Sequence, residues 1–236
     1  MRSGSRNPAA SIFPPHAAFA SLLLDVERVF LLSPAHCGGK RAAMVLSERA
    51  EFALATTLRG DAGAPLGEVF AFLSGLYFRG KLQYARAFAR PPAGVAHALV
   101  ITPSRGLRPA DEPISLRCLR EFAAVPVDAN EERYRAPLLR DAGMLAARLA
   151  ADGEAILLGS IATEKYTAVL AQVFGARLRF PEAFVGRGDM SRGGLLLRCV
   201  REGRELDYVP LGGIRRGPRP PKLEPLRAPP TGAGRT

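Results

Sequence analysis

The feature that most narrows what this chain can fold into is an alternation. Short apolar runs recur along it, several of them ending in a small or polar loop, and segments with helical spacing separate them. Val29–Leu32, Val69–Leu73, Ala98–Ile101, Ala155–Leu158 and Leu178–Phe180 read as strands. Helices are expected around Phe19, Leu22, Leu23 and Val26; from the Gly38-Gly39-Lys40 loop through Leu58; and from Leu82 to Phe88, where Pro91 and Pro92 stop the helix. Further helices are expected over Ser115–Phe122, over Leu138–Leu149, and from Thr163 as N-cap to Phe174, closed by Gly175. Strands that alternate with helices are joined by crossovers, which set the strands parallel and the helices on the sheet faces. The expected class is therefore α/β: three layers, a mostly parallel sheet with helices on both faces. The C-terminal strand Leu195–Cys199, or its hairpin with Leu206–Val209, is the antiparallel candidate.

The 236 residues show no internal repeat and no second core, so a single domain is expected over 15–211. Residues 1–14 read as a flexible arm and 212–236 as a disordered basic tail rich in Pro, Gly and Arg. Charge is concentrated in these ends. Of the net +11, the tail supplies +5 and Arg2 and Arg6 another +2, which leaves the domain mildly basic. No apolar run is long enough to span a bilayer, so no membrane partner is expected. Asp25 and Glu27 follow the short apolar stretch Ala17–Leu24 at once, which does not read as a secretory signal. Three scattered cysteines (Cys37, Cys118, Cys199) suit a reducing, cytoplasmic setting, and with three histidines they give no metal-ligand spacing. Neither a metal nor a cofactor is indicated, and the oligomeric state is not encoded in any pattern.

In an open parallel sheet, ligands bind at the carboxyl ends of the strands. Four strand-end loops are the candidates. The first holds Ser33, Cys37, Gly38, Gly39 and Lys40; the second Ser74, Gly75, Tyr77, Arg79 and Lys81. The third holds Ser104, Arg105 and Gly106; the fourth Gly159 and Ser160, with Lys165 just inside the next helix. Cations beside helix starts favour phosphate. The stretch Phe184–Arg198 adds four glycines around Arg187, Asp189, Ser191 and Arg192, and is a candidate lid if the strand after it is antiparallel. Gly38-Gly39-Lys40 is not a nucleotide-triphosphate loop: Pro34 stands where a glycine is required and Arg41 where a hydroxyl is. Cys37 beside His36 is a candidate thiol nucleophile, but a small residue tolerated in a tight loop is the favoured reading, because adjacent side chains seldom point at each other. Asp111, after the third strand, is the candidate general base.

The order of these pieces resembles the peroxide stress protein-like α/β family, related to the central domain of archaeosine synthase. The resemblance rests on Ser33 with Cys37–Lys40; on Gly75-Leu76-Tyr77-Phe78-Arg79 with Tyr84-Ala85; on Thr102–Leu107 followed by Asp111-Glu112; and on Ala155–Ser160 with Lys165-Tyr166. Ser104-Arg105 stands where the family often has Lys-His. The resemblance implies a uracil-DNA glycosylase-like fold and a link to nucleic-acid modification or stress response. The expected function is binding of nucleic acid or a phosphate-bearing small molecule. The alternatives are an enzyme acting on the N-glycosidic bond of a nucleoside or nucleotide, and a non-catalytic interaction protein.

Overall fold

The computed structural model describes residues 26–211 together with 217, 220, 221 and 223. The expected helix around Phe19, the N-terminal arm and nearly all of the basic tail lie outside the described residues. The strands are β1 (Arg28–Leu32), β2 (Ala64–Pro65), β3 (Ala98–Ile101), β4 (Leu107–Pro109), β5 (Pro113–Ile114), β6 (Glu154–Leu158), β7 (Leu178–Pro181) and β8 (Tyr208–Pro210). The helices are α1 (Lys40–Leu46), α2 (Ala53–Arg59), α3 (Leu66–Ser74), α4 (Leu76–Phe88), α5 (Leu116–Ala123), α6 (Glu132–Arg148), α7 (Glu164–Phe174) and α8 (Asp189–Glu202).

One six-stranded sheet runs β4-β3-β1-β6-β7-β8. β3, β1, β6 and β7 are mutually parallel, and the edges β4 and β8 are antiparallel to their neighbours. Alternate side chains of each central strand enter different layers. Phe30, Leu32, Val100, Ile156 and Leu158 pack with α3, α4, α5 and α8. Val29, Leu31, Leu99, Ile101, Ala155 and Leu157 pack under α6 and α7. Strands buried on both faces must be apolar at every position, which is why β1 and β6 read as unbroken runs. Ion pairs tie the amino edge together: Arg28 bridges Glu154 and Glu205 at 2.7 Å each, and Arg179 joins Glu154 at 2.8 Å.

The α/β class, the central parallel strands and an antiparallel C-terminal pair are all present. Three elements differ from expectation. Val69–Leu73 lies in helix α3, not in a strand, and Leu195–Cys199 lies in helix α8. Both are short apolar runs, which periodicity alone cannot assign. The antiparallel pair is instead β7 with β8. The helix expected through Leu58 breaks at 47–52 into α1 and α2.

α8 crosses α4 at unusually close range. A Cβ on Gly193 would lie 2.8 Å from Tyr77 Cα and 2.9 Å from the Leu76 carbonyl, and one on Gly80 would lie 2.8 Å from the Gly193 oxygen. Only glycine allows this approach. It seats the first turn of α8 beside Tyr77, over the carboxyl end of the sheet.

A buried lysine and two cavities at the carboxyl edge

The chain winds outward from β1 in both directions, with β3 on one side and β6 on the other. Such a reversal leaves a crevice between the loops that follow the two central strands. Here those loops begin at Ser33 and Gly159. They touch: a Cβ on Gly159 would stand 2.9 Å from Ser33 Cβ, so the contact requires glycine.

Lys81, on the second turn of α4, reaches into this junction and is 1% exposed. Its Nζ donates to the Ser33 carbonyl at 2.6 Å and lies 2.9 Å from Ser33 Oγ. The rings of Tyr77 and Phe78 flank it at 4.6 and 4.8 Å. No carboxylate forms an ion pair with it among the described residues. Burial therefore pulls its pKa down to about 7; Asp189 opposes the shift and Arg192 adds to it. A lysine in this state is largely neutral at slightly alkaline pH and carries a lone pair.

The surrounding hydroxyls share the burial. Tyr77 Oη is buried without a hydrogen-bond partner; burial raises its pKa, which nearby Arg192 partly counters. Tyr166, from α7, faces Ser33, and burial pushes its phenol up to about 12. Arg192 anchors the first turn of α8 by donating to the Phe184 carbonyl at 3.1 Å. Asp189 is exposed and lies 3.7 Å from the Arg192 guanidinium.

Two cavities lie along the neighbouring loops, and none of Ser33, Tyr77, Lys81 and Tyr166 lines either. One of about 340 Å³ is lined by Ala35–Gly38, Pro103, the 122–127 segment and Lys165. The other, about 560 Å³, is lined by Arg135, Thr163, Glu164, Lys165 and Asp128, among others. Lys165 is common to both. Its ammonium lies 5.2 Å from the Tyr166 ring centre. Thr163 caps α7 by position only, with no side-chain bond to the first-turn amides.

The expected site residues divide accordingly. Ser33, Tyr77, Lys81, Gly159 and Lys165 converge on the junction, with Ser160 next to Gly159, and Asp189 and Arg192 arrive from α8. Cys37 and Gly38 line the smaller cavity, and Gly39 packs beside the His36 ring. Lys40 is exposed at the start of α1. Ser74, Gly75 and Arg79 do not follow a strand; they surround the joint between α3 and α4 and line a separate cavity of about 660 Å³ with Arg41, Met44 and Met190. Arg187 donates to the Ala183 carbonyl at 3.0 Å and to Ser191 Oγ at 3.2 Å, so both are occupied in holding the turn before α8. The loop with Ser104, Arg105 and Gly106 is closed on itself. Thr102 bonds the Gly106 carbonyl, and Arg105 pairs with Glu121 at 2.5 Å.

Asp111 does not reach the site. β4 turns back antiparallel to β3 and carries the chain to the opposite edge, where Ala110 donates to the Ala98 carbonyl. Asp111 there pairs with Arg86 and its side chain is 76% exposed. Tyr166 and Arg135 were not among the expected site residues. Tyr166 carried a signal, because it follows Lys165 at the start of a helix behind a strand-end loop.

Cys37 is not an activated thiol. It is buried, donates weakly to the Ala35 carbonyl at 3.5 Å, and burial raises its pKa to about 12. With Cys118 and Cys199 also buried, Ellman's reagent at pH 8 is expected to find no fast thiol in the native protein and three after denaturation. A single rapid native reaction mapped to Cys37 would overturn this.

No helix among the described residues is long and apolar enough to cross a membrane. Comparisons with protein-family models, with curated proteins and with solved structures returned no match, so the fold and the site stand on their own geometry.

Proposed function

We propose that the chain binds a phosphate-bearing ligand, a nucleotide or a nucleic-acid segment, over the carboxyl edge of the sheet beside the β1–β6 junction. The observation that carries this reading is Lys165. It lies at the start of an eleven-residue helix, lines two adjoining cavities, and forms no ion pair among the described residues. Arg135 supplies a second cation on the larger cavity, while Asp128 and Glu164 set its opposite sign. The uncapped first turn of α7 adds N–H donors and a favourable dipole for an anion. The pieces that carry the family resemblance also gather here: Ser33, Cys37, Gly38, Tyr77, Gly159, Lys165 and Tyr166. That gathering supports a link to nucleic-acid modification or stress response. A glycosidase reading through Asp111 lacks such support, because that carboxylate sits on the far edge.

Hydrogen bonds between charged groups contribute about 1.5–3 kcal/mol. Lys165→Ala and Arg135→Ala are therefore each expected to weaken nucleotide or tRNA binding by roughly 10- to 100-fold. Binding should also fall steeply with salt. The measurement is fluorescence anisotropy on the full chain and on a chain ending at Leu211. Affinity unchanged by either substitution but lost on removing 212–236 would assign all binding to the tail and defeat the proposal.

A further inference from the structure

We propose that Ser33 and Lys81 form a nucleophile–base pair that attacks carboxylic esters or thioesters, with the Tyr77 hydroxyl as donor to the developing oxyanion. This goes beyond the phosphate-binding reading and does not depend on it. Four observations carry it. First, Ser33 Oγ and Lys81 Nζ are 2.9 Å apart, the separation a base needs to take a hydroxyl proton. Second, Lys81 is fully enclosed, flanked by two aromatic rings and without an ion-pair partner among the described residues, the surroundings that keep a lysine neutral and basic. Serine–lysine pairs of this kind replace the serine–histidine–aspartate arrangement on other folds. Third, Ser33 stands at the carboxyl end of the central strand, at the reversal of winding; it is 5% exposed and lies two residues before Ala35, which lines a cavity of about 340 Å³. Fourth, the Tyr77 hydroxyl is buried beside the Arg192 guanidinium and makes no hydrogen bond of regular geometry. A buried donor left unpaired costs stability, which calls for a group that it serves.

The step balances without a metal or a redox partner. Ser33 Oγ forms a bond to the carbonyl carbon while its proton passes to Lys81 Nζ, giving an ammonium. The negative charge gathers on the carbonyl oxygen, facing Tyr77. The tetrahedral adduct collapses, the bond to the alkoxide or thiolate breaks, and Lys81 returns its proton to that leaving group. Lys81, neutral again, then takes a proton from water as that water attacks the Ser33 ester; when the bond between Ser33 Oγ and the acyl carbon breaks, Lys81 returns the proton to Ser33 Oγ, releasing the acid and restoring the hydroxyl.

The test is covalent labelling of the full chain with an alkyl fluorophosphonate, followed by intact mass and peptide mapping. Ser33 displaces fluoride from phosphorus in a single stoichiometric event. One adduct is expected, on the peptide containing Ser33. Its rate should climb about tenfold between pH 6 and pH 8 as Lys81 loses its proton, whose pKa lies at about 7. Lys81→Met should slow labelling at least 100-fold and Ser33→Ala should abolish it. Tyr77→Phe should lower the burst rate with p-nitrophenyl acetate by 10-fold or more. The wild-type pH profile needs no variant to fold. Absence of a Ser33 adduct on the wild-type protein at pH 8, or a rate flat from pH 6 to pH 8, overturns the proposal and leaves Lys81 as a donor that closes the end of β1.

Discussion

Replacing Gly193 by alanine is expected to destabilise the protein by about 3 kcal/mol, the upper end of the range for overpacking a well-packed interior. The added Cβ would lie 2.8 Å from Tyr77 Cα and 2.9 Å from both the carbon and the oxygen of the Leu76 carbonyl. These are backbone atoms of the first turn of α4, and no side-chain rotation relieves them. α8 would have to lift away, loosening the contact that holds Arg192 and Asp189 beside Tyr77 and Lys81. The neighbouring residue supplies the control. A Cβ on Gly194 meets only Leu223 Cδ1, at 3.8 Å, an ordinary contact. Gly194→Ala therefore gains helix propensity without a clash and should stabilise by roughly 0.5–1 kcal/mol. Urea unfolding of the two variants should move the midpoint in opposite directions. Equal effects at both positions would mean that the α4–α8 crossing is not the close one described.

This crossing also explains which parts of the fold were legible in the sequence. β1, β3 and β6 could be read because a strand buried on both faces is an apolar run that ends at a polar loop, whereas β7 alternates, with Arg179 between Leu178 and Phe180. α6 and α7 could be read because each shows one apolar stripe at helical spacing. α3 and α8 could not. Val69–Leu73 and Leu195–Leu197 are each apolar over five residues or fewer in a row with glycine within two residues of at least one end, and that pattern fits a strand as well as a buried helix. What decides for helix is contact with α4, which lies more than a hundred residues from α8 in the chain. The glycines of the 186–194 stretch were read as freedom to turn around a ligand. Gly186 does turn, with φ +73°, but Gly193 is there to admit another helix.

The site was legible in the same uneven way. Ser33 and Gly159 follow directly from strand ends, and Lys165 from the helix behind one. From the sequence Lys81 reads as a loop cation in phosphate contact, because 69–73 reads as the strand before it. On a helix its side chain instead points into the core, where its chemistry changes from a fixed charge to a titrating base. Asp111 was misplaced for a topological reason. A loop after a strand stays at the carboxyl edge only if no strand folds back, and the three residues of β4 suffice to carry it across.

Lys81→Met is expected to make the protein more stable at pH 7 and to lose that advantage as the pH rises. The folded-state pKa of Lys81, about 7, lies below its ordinary value of 10.5, so between these values the unfolded chain binds the proton more readily. Stability contributed by this group is therefore complete above about pH 10.5 and declines as pH falls toward 7, below which both states are protonated and the loss is constant. At 1.36 kcal/mol per unit the full cost is at most about 4–5 kcal/mol. Methionine, unbranched and apolar, fits the same channel between Tyr77 and Phe78 without it. Loss of the bonds to Ser33 returns about 1–2 kcal/mol of destabilisation. The net gain at pH 7 is then about 2 kcal/mol, or roughly 4–8 °C in melting temperature for a domain of this size. At pH 9.5 the gain should shrink toward zero. Taking the difference between the two proteins at each pH removes the buried tyrosines from the comparison, since their ionisation on unfolding at high pH is common to both. A melting temperature that falls on substitution at pH 7 would show that Lys81 is held charged and paired. A rise, together with loss of Ser33 labelling, would show a residue that costs stability and is retained for reactivity, the trade expected where a strained or uncompensated group does chemistry.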